Sequence, residues 1–213
     1  MKIIPSILAI LILFSVGQAT SSAQNVTTTA EPLLVYKALQ DEDCRHWVDS
    51  VMNKLSFKEK VGQLFIYTIA PVDTKRNLEL LREAVDTYKV GGLLFSGGKM
   101  QTQVDLTNRA QKQAKVPVMI TFDGEWGLAM RLRGTPVFPR NMVLGCIRDN
   151  QLIYEYGREV ARQCRQIGVQ VNFAPVADVN INPKNPVINT RSFGEDPVQV
   201  ADKVIAYAYG LEG

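Results

Sequence analysis

Two stretches of this 213-residue chain combine charged side chains at a spacing that suits recognition of a polar ligand. The first opens with Asp123, directly after the apolar run Pro117 to Phe122, and continues through Glu125 to Arg131. In parallel α/β folds the working residues sit where a strand ends and its loop begins, so Asp123 and Arg131 are predicted on one cleft. A carboxylate and a guanidinium placed there can bind hydroxyl groups such as those of a sugar through paired, directional hydrogen bonds. The same spacing also fits a plainer arrangement, in which Asp123 caps its loop and Arg131 pairs with a surface carboxylate. The second stretch is the long loop from Asn182 to Pro197. Pro183, Pro186 and several Asn residues stiffen it, which lowers the entropy cost of presenting Arg191 at a fixed place. Here too a structural alternative stands, an ion pair from Arg191 to Asp178 or Glu195.

Other candidates for chemistry are few. Asp123 and Glu125 lie on one short turn and would struggle to flank both faces of a sugar as a hydrolytic carboxylate pair. His46, the single histidine, falls in the first predicted helix and reads as a surface or half-buried residue of that helix. Cys44, Cys146 and Cys164 lack the close Cys/His spacing of a zinc site. They read as free thiols, with one disulfide plus a leftover thiol as the alternative in an oxidising compartment. No metal site and no organic cofactor is implied.

The elements that must position these residues alternate in type. Val61 to Ile69, Gly91 to Phe95, Pro117 to Phe122 and Val169 to Val176 are short apolar runs bounded by Gly, Pro or Asp, and each is predicted as a buried strand. Between them, Asn77 to Tyr88, Gln101 to Lys115 and Asn150 to Ile167 carry helix formers at a period near 3.6. Asp43 to Leu55 has helical spacing with Trp47, Val48, Val51, Met52 and Leu55 on one face, and Ser56 to Glu59 forms a capping box. Asp196 and Pro197 read as N-cap and first residue of another helix. The alternation implies right-handed βαβ units and a parallel sheet, in either a doubly wound α/β fold or a (β/α)8 TIM-type barrel. Since a barrel uses about 250 residues, units running from near residue 56 to 213 are expected to cover roughly its first half. Half a barrel would leave two strand edges and an open core exposed.

Ahead of these units, residues 1–23 carry Lys2, an apolar run from Ile7 to Val16 and the small polar end Ser21-Ser22-Ala23. This is the pattern of a secretory signal peptide, and it places the mature protein in the periplasm or outside the cell. The run is shorter than the roughly 20 residues a spanning helix needs, so no stable membrane insertion is expected after cleavage. Residues 24–40, rich in Thr and Ala, read as a flexible leader, and residues 41–213 as the folded part. The net charge of +3 is small and the basic residues are scattered, which argues against a nucleic-acid partner.

Two ordered motifs then make a resemblance specific. Asn172-Phe173-Ala174-Pro175-Val176-Ala177-Asp178, followed by Asn185-Pro186-Val187-Ile188 and Arg191-Ser192-Phe193-Gly194-Glu195-Asp196-Pro197, resembles the N-terminal barrel of glycoside hydrolase family 3. Within it the chain is more similar to the β-N-acetylhexosaminidase branch than to the β-glucosidases. The resemblance implies a retaining hydrolase of terminal β-linked N-acetylhexosamine, with a carbohydrate as its partner and further C-terminal domains in the full-length protein. It implies sugar-binding roles for Asp123 and Arg131, which match the family's Asp-Gln-Glu-Gly-Gly-Arg segment, and for Arg191 of the Arg-Ser-Phe-Gly signature. Here Gly124 stands for Gln, Trp126 for the first of the paired glycines and Leu128 for Arg. Trp126 either stacks on a sugar face or packs beneath the loop. The family's nucleophile, an Asp late in the barrel, and its acid/base His have no counterpart in these residues, so no catalytic residue is expected in this chain and it is expected to be inactive alone. A family 3 β-glucosidase and a non-catalytic carbohydrate-binding remnant are the alternatives.

Overall fold

Which way each crossover turns decides where the loops at the strand ends collect. The computed structural model describes residues 40–213, so the predicted signal peptide and nearly all of the leader lie outside the described residues. The chain divides into two units, Met1–His46 and Trp47–Gly213. Of the first, the structure describes the start of helix α1 (Glu42–Met52), where His46 is exposed.

In the second unit, the predicted apolar stripe of α1 stays largely in water, with Trp47 54% exposed, and only Leu55, just past the helix, is buried. Helix α2 (Phe57–Gly62) starts on the capping box read from the sequence. Ser56 Oγ accepts from the Glu59 amide at 3.3 Å, and a Glu59 carboxylate oxygen accepts from the Ser56 amide at 2.8 Å. These bonds, helped by Lys115, hold the Glu59 carboxyl at about 2. The helix takes Val61 and Gly62 and the turn after it Gln63 to Phe65, so that β1 spans only Ile66–Ile69 of the predicted strand. Gly62 ends α2 against a turn that admits no side chain, since a Cβ there would lie 1.9 Å from the Tyr88 carbonyl oxygen.

Helix α3 (Lys75–Arg82) runs on through a π-helical turn, Glu83–Thr87, into β2 (Gly92–Phe95). Helix α4 (Met100–Gln113) follows the two-residue strand β3 (Gly98–Lys99) and leads to β4 (Met119–Phe122). The predicted strand loses its first residues because Pro117 has no N–H, while the Gln111 side chain satisfies both the amide and the carbonyl of Val118, at 3.0 and 2.6 Å. Strand β5 (Leu132–Arg133), helix α5 (Asn141–Gly145) and helix α6 (Asn150–Gln166) then lead to β6 (Val171–Asn172). The expected strand from Val169 to Val176 shrinks to that pair. Helix α7 (Pro197–Glu212) starts on the predicted cap, with Asp196 accepting from the Gln199 amide at 2.8 Å.

The main sheet is wholly parallel in the order β1-β2-β4-β6. The order advances in one direction without reversing, so right-handed crossovers place every connecting helix on the same face. A doubly wound sheet reverses at a switch point; this one follows barrel topology. Leu93, Phe95, Ile120 and Phe122 are fully buried on the helical side. Their neighbours Ile66 and Met119, in register through Gly92, alternate to the other side and remain 42% and 40% exposed. Strands β1 and β6 are the two edges.

Helices α6 and α7 form the tightest contact. A Cβ on Gly210 would sit 2.2 Å from the Tyr154 carbonyl oxygen, and one on Gly157 2.5 Å from that of Tyr207. This approach stacks the Tyr156 and Tyr207 rings at 4.9 Å and buries Lys203, whose ammonium donates to the Ile147 carbonyl and to Asn150.

The three cysteines are free. Cys164 is buried in α6, and desolvation pushes its thiol to about 11, whereas Cys146 is exposed. Alkylation of the native full-length protein at pH 8 is therefore expected to label Cys146 and to spare Cys164 until denaturant is added, as peptide mass spectrometry would show. Gly210→Ala is expected to lower stability by about 1–3 kcal/mol, read as a shifted urea midpoint.

Candidate functional site

Strand β4 lies inside the sheet, between β2 and β6, and its last residue Phe122 hands the chain to Asp123 at the centre of the loop face. Asn172, at the end of β6, holds the turn that follows. Its side-chain oxygen accepts from the Gly124 amide at 2.9 Å and its Nδ2 donates to the Gly124 carbonyl at 3.1 Å. A Cβ on residue 124 would come 2.8 Å from the Phe122 ring, so a side chain there requires that ring to shift. Gly127 turns the chain back at φ +90°.

The chain then returns toward Asp123 through the 3-10 turn Leu128–Met130. Arg131 closes on Asp123 as an ion pair, and its Nε also donates to the Asp123 carbonyl at 3.3 Å. Both side chains keep about a third of their surface in water, 35% for Arg131 and 30% for Asp123. The small parallel sheet β3–β5 anchors this return. In it the Gly98 amide donates to the Arg131 carbonyl at 3.0 Å. The structure thus brings Asp123 and Arg131 together, and the alternative of a separate surface partner for Arg131 does not hold.

The long loop before α7 reaches the same place from the other side. Asn182 and Asn185 form local turns in it: Asn182 accepts from the Lys184 amide at 3.0 Å, and Asn185 from the Val187 amide at 2.8 Å. Within Arg191-Ser192-Phe193 successive side chains do different things. Arg191 points to the turn after β4, Ser192 Oγ donates to the Asp178 carbonyl at 2.6 Å, and Phe193 is buried edge-on to Tyr207.

The partner of Arg191 is neither Asp178 nor Glu195, both of which are exposed, but Glu125. Nε lies 2.9 and 3.1 Å from the two carboxylate oxygens and Nη2 lies 2.6 Å from one of them. These bonds raise the proton affinity of Arg191, and the charges of Asp123 and Asp178 add to the effect. Trp126 is half-buried with the Arg140 guanidinium 4.9 Å over its ring, so packing rather than an open stacking face describes its side toward Arg140. Arg140 also donates to Thr190 at 3.0 Å, and Asn141 donates to the Arg191 carbonyl at 2.8 Å.

Three residues that sequence reasoning left without a site role therefore hold the arrangement: Glu125, Asn141 and Asn172. Glu125 carried a signal in being a second acidic residue on a strand-end turn. Among the described residues no group of three or more His, Cys, Asp or Glu side chains is placed to hold a metal ion. The arrangement offers two carboxylate–guanidinium pairs on one loop face, which can donate and accept hydrogen bonds to a neutral polar ligand. Asn172→Ala, which strips both bonds from Gly124, is expected to destabilise the full-length protein by about 1–3 kcal/mol, and urea unfolding would measure the loss.

The sequence profile described as glycosyl hydrolase family 3 N terminal domain matches residues 56–213. Among curated relatives, β-hexosaminidase LpqI of Mycobacterium tuberculosis is 33% identical over 163 residues, covering 74% of this chain and 40% of the relative. β-Hexosaminidase A of Pseudoalteromonas piscicida is 34% identical over 145 residues, covering 62% of this chain and 24% of the relative. Of solved structures, a glycoside hydrolase family 3 β-N-acetylglucosaminidase from Paenibacillus superposes with a TM-score of 0.66 at 32% identity, over 74% of this chain and 31% of that one. The chain spans less than half the length of each of these proteins. With 158 consecutive residues, 56–213, matched, the chain belongs to glycosyl hydrolase family 3, of whose N-terminal domain it carries the strand-end loops described above.

Proposed function

We propose that the chain supplies the sugar-binding wall of a retaining glycoside hydrolase that removes terminal β-linked N-acetylglucosamine from oligosaccharides or peptidoglycan fragments. The observation that carries this reading is the pair of carboxylate–guanidinium contacts, Asp123–Arg131 and Glu125–Arg191, at the ends of neighbouring strands. Asp123, Arg131 and Arg191 each keep about a third of the side chain exposed, at 30%, 35% and 34%, and these are the groups assigned to hold sugar hydroxyls. The β-hexosaminidase names of the relatives support N-acetylhexosamine over glucose.

Bond breaking in a retaining enzyme requires a carboxylate to attack the anomeric carbon, a proton donor at the leaving oxygen, and water to release the glycosyl-enzyme. The residues of this chain bind and orient the sugar for that sequence; the nucleophile and the proton donor lie outside it. Residues 1–23 direct export, so the enzyme works in the periplasm or outside the cell.

The full-length protein is expected to release 4-nitrophenol from its N-acetyl-β-glucosaminide faster than from its β-glucoside. The 213-residue chain alone is expected to release none. Asp123→Ala in the full-length protein should lower kcat/KM about 10- to 100-fold, as loss of hydrogen bonds to a charged group does. Faster turnover of the glucoside would assign the protein to the β-glucosidases, and no turnover of either would sink the hydrolase reading.

A further inference from the structure

Glu125 is the most deeply buried acidic residue on the loop face. Its side chain is 3% exposed, against 34% for the Arg191 that it grips. It cannot reach a ligand itself. Among the described residues its carboxylate bonds to nothing but Arg191. Removing one member of such a pair strands a buried charge, so the two side chains depend on each other.

The way the grip is made matters more than its strength. A guanidinium carries five N–H donors in a planar fork. Glu125 takes the Nε–H and one Nη2–H side-on, at 2.9 and 2.6 Å, and the Val187 carbonyl takes one Nη1–H at 3.2 Å. Among the described residues, one donor on Nη1 and one on Nη2 have no partner. The charges of Asp123 and Asp178 also act on Arg191, behind the direct bonds from Glu125. Without Glu125 the guanidinium would be drawn toward Asp123, which already holds Arg131.

We infer that Glu125 is a positioning residue for Arg191: it clamps the inner edge of the guanidinium so that the outer edge presents a fixed donor pair to the sugar, and it keeps Arg191 away from the Asp123–Arg131 pair. This rests on the sugar-binding role proposed above. The backbones on both sides are fixed independently, by Asn172 on Gly124 and by Asn141 on the Arg191 carbonyl. The side-chain clamp therefore sets the position of the guanidinium itself.

The test uses the full-length protein and 4-nitrophenyl N-acetyl-β-glucosaminide. Glu125→Gln keeps the volume and removes the charge; kcat/KM is expected to fall about 100-fold, the effect of misplacing a binding group by an ångström. Arg191→Ala should fall by a similar factor, and the double variant no further. Millimolar guanidinium ion is expected to restore activity to Arg191→Ala, where the Glu125 carboxylate still marks its place, and not to the Glu125→Gln/Arg191→Ala variant. A purely structural staple would lower the thermal midpoint of Glu125→Gln and leave the kinetics of its folded fraction unchanged. Such unchanged kinetics, losses that multiply in the double variant, or guanidinium rescue that is equal or absent in both backgrounds would overturn the inference. A wild-type protein that releases no nitrophenol counts against the hydrolase reading first.

Discussion

A carboxylate taken out of water must be matched by a cation close at hand, and in this domain the carboxylate is Glu125. Moving such a charge into the interior costs several kcal/mol unless an opposite charge and hydrogen bonds replace the water. Among the described residues, the group that meets Glu125 comes from the loop between β6 and α7, 66 residues further along the chain. Much of the loop face follows from that requirement. For Arg191 to arrive, the loop must cross over the turn after β4, and Ser192 must tie it to Asp178. Phe193 must sink against Tyr207, and Gly145 must lack a side chain, since a Cβ there would lie 1.7 Å from the Phe193 carbonyl oxygen.

The electrostatics that result are local and balanced. Each of the two arginines at the centre is matched by one carboxylate, so the face carries strong hydrogen-bonding groups without a net charge from these four residues. An anionic ligand would gain little from such a surface, while a neutral ligand with several hydroxyls meets both donors and acceptors held in fixed geometry. Arg140 is employed differently: it lies over the Trp126 ring and is bonded to Thr190, so its charge closes the turn against the loop.

How much of this could be read beforehand varies with the kind of signal. Local chemistry was legible to the residue. The capping box at Ser56 and the cap at Asp196 depend on groups three positions away and form as the spacing says. The four main strands and the helices between them also appear, because apolar runs and helical periods report burial directly. Their ends are less legible. Val61 and Gly62 belong to a helix because Gly62 must pack on the Tyr88 carbonyl, a contact 26 residues away, and β6 stops at Asn172 because its side chain turns to hold Gly124. In the site, Asp123 and Arg131 were legible as neighbours, since both flank one turn. The partner of Arg191 was not: proximity in sequence pointed to Asp178 or Glu195, and Glu125 comes within reach only through the topology that sets β4 beside β6.

That adjacency also explains why the loop face is well formed on a sheet with one uncovered side. The exposed apolar residues Ile66 and Met119 lie at the N-terminal starts of their strands, on the face away from the helices. The charged pairs rise from the opposite, C-terminal ends and are braced by α6 and α7 from the helical side, where Tyr156, Tyr207 and Phe193 pack together. Nothing in the Asp123–Arg131 or Glu125–Arg191 contacts draws on the open face or on the edge strand β1. A domain built this way separates two demands: the charged pairs stand on a platform braced by helices, and the open side of the sheet can change without disturbing them.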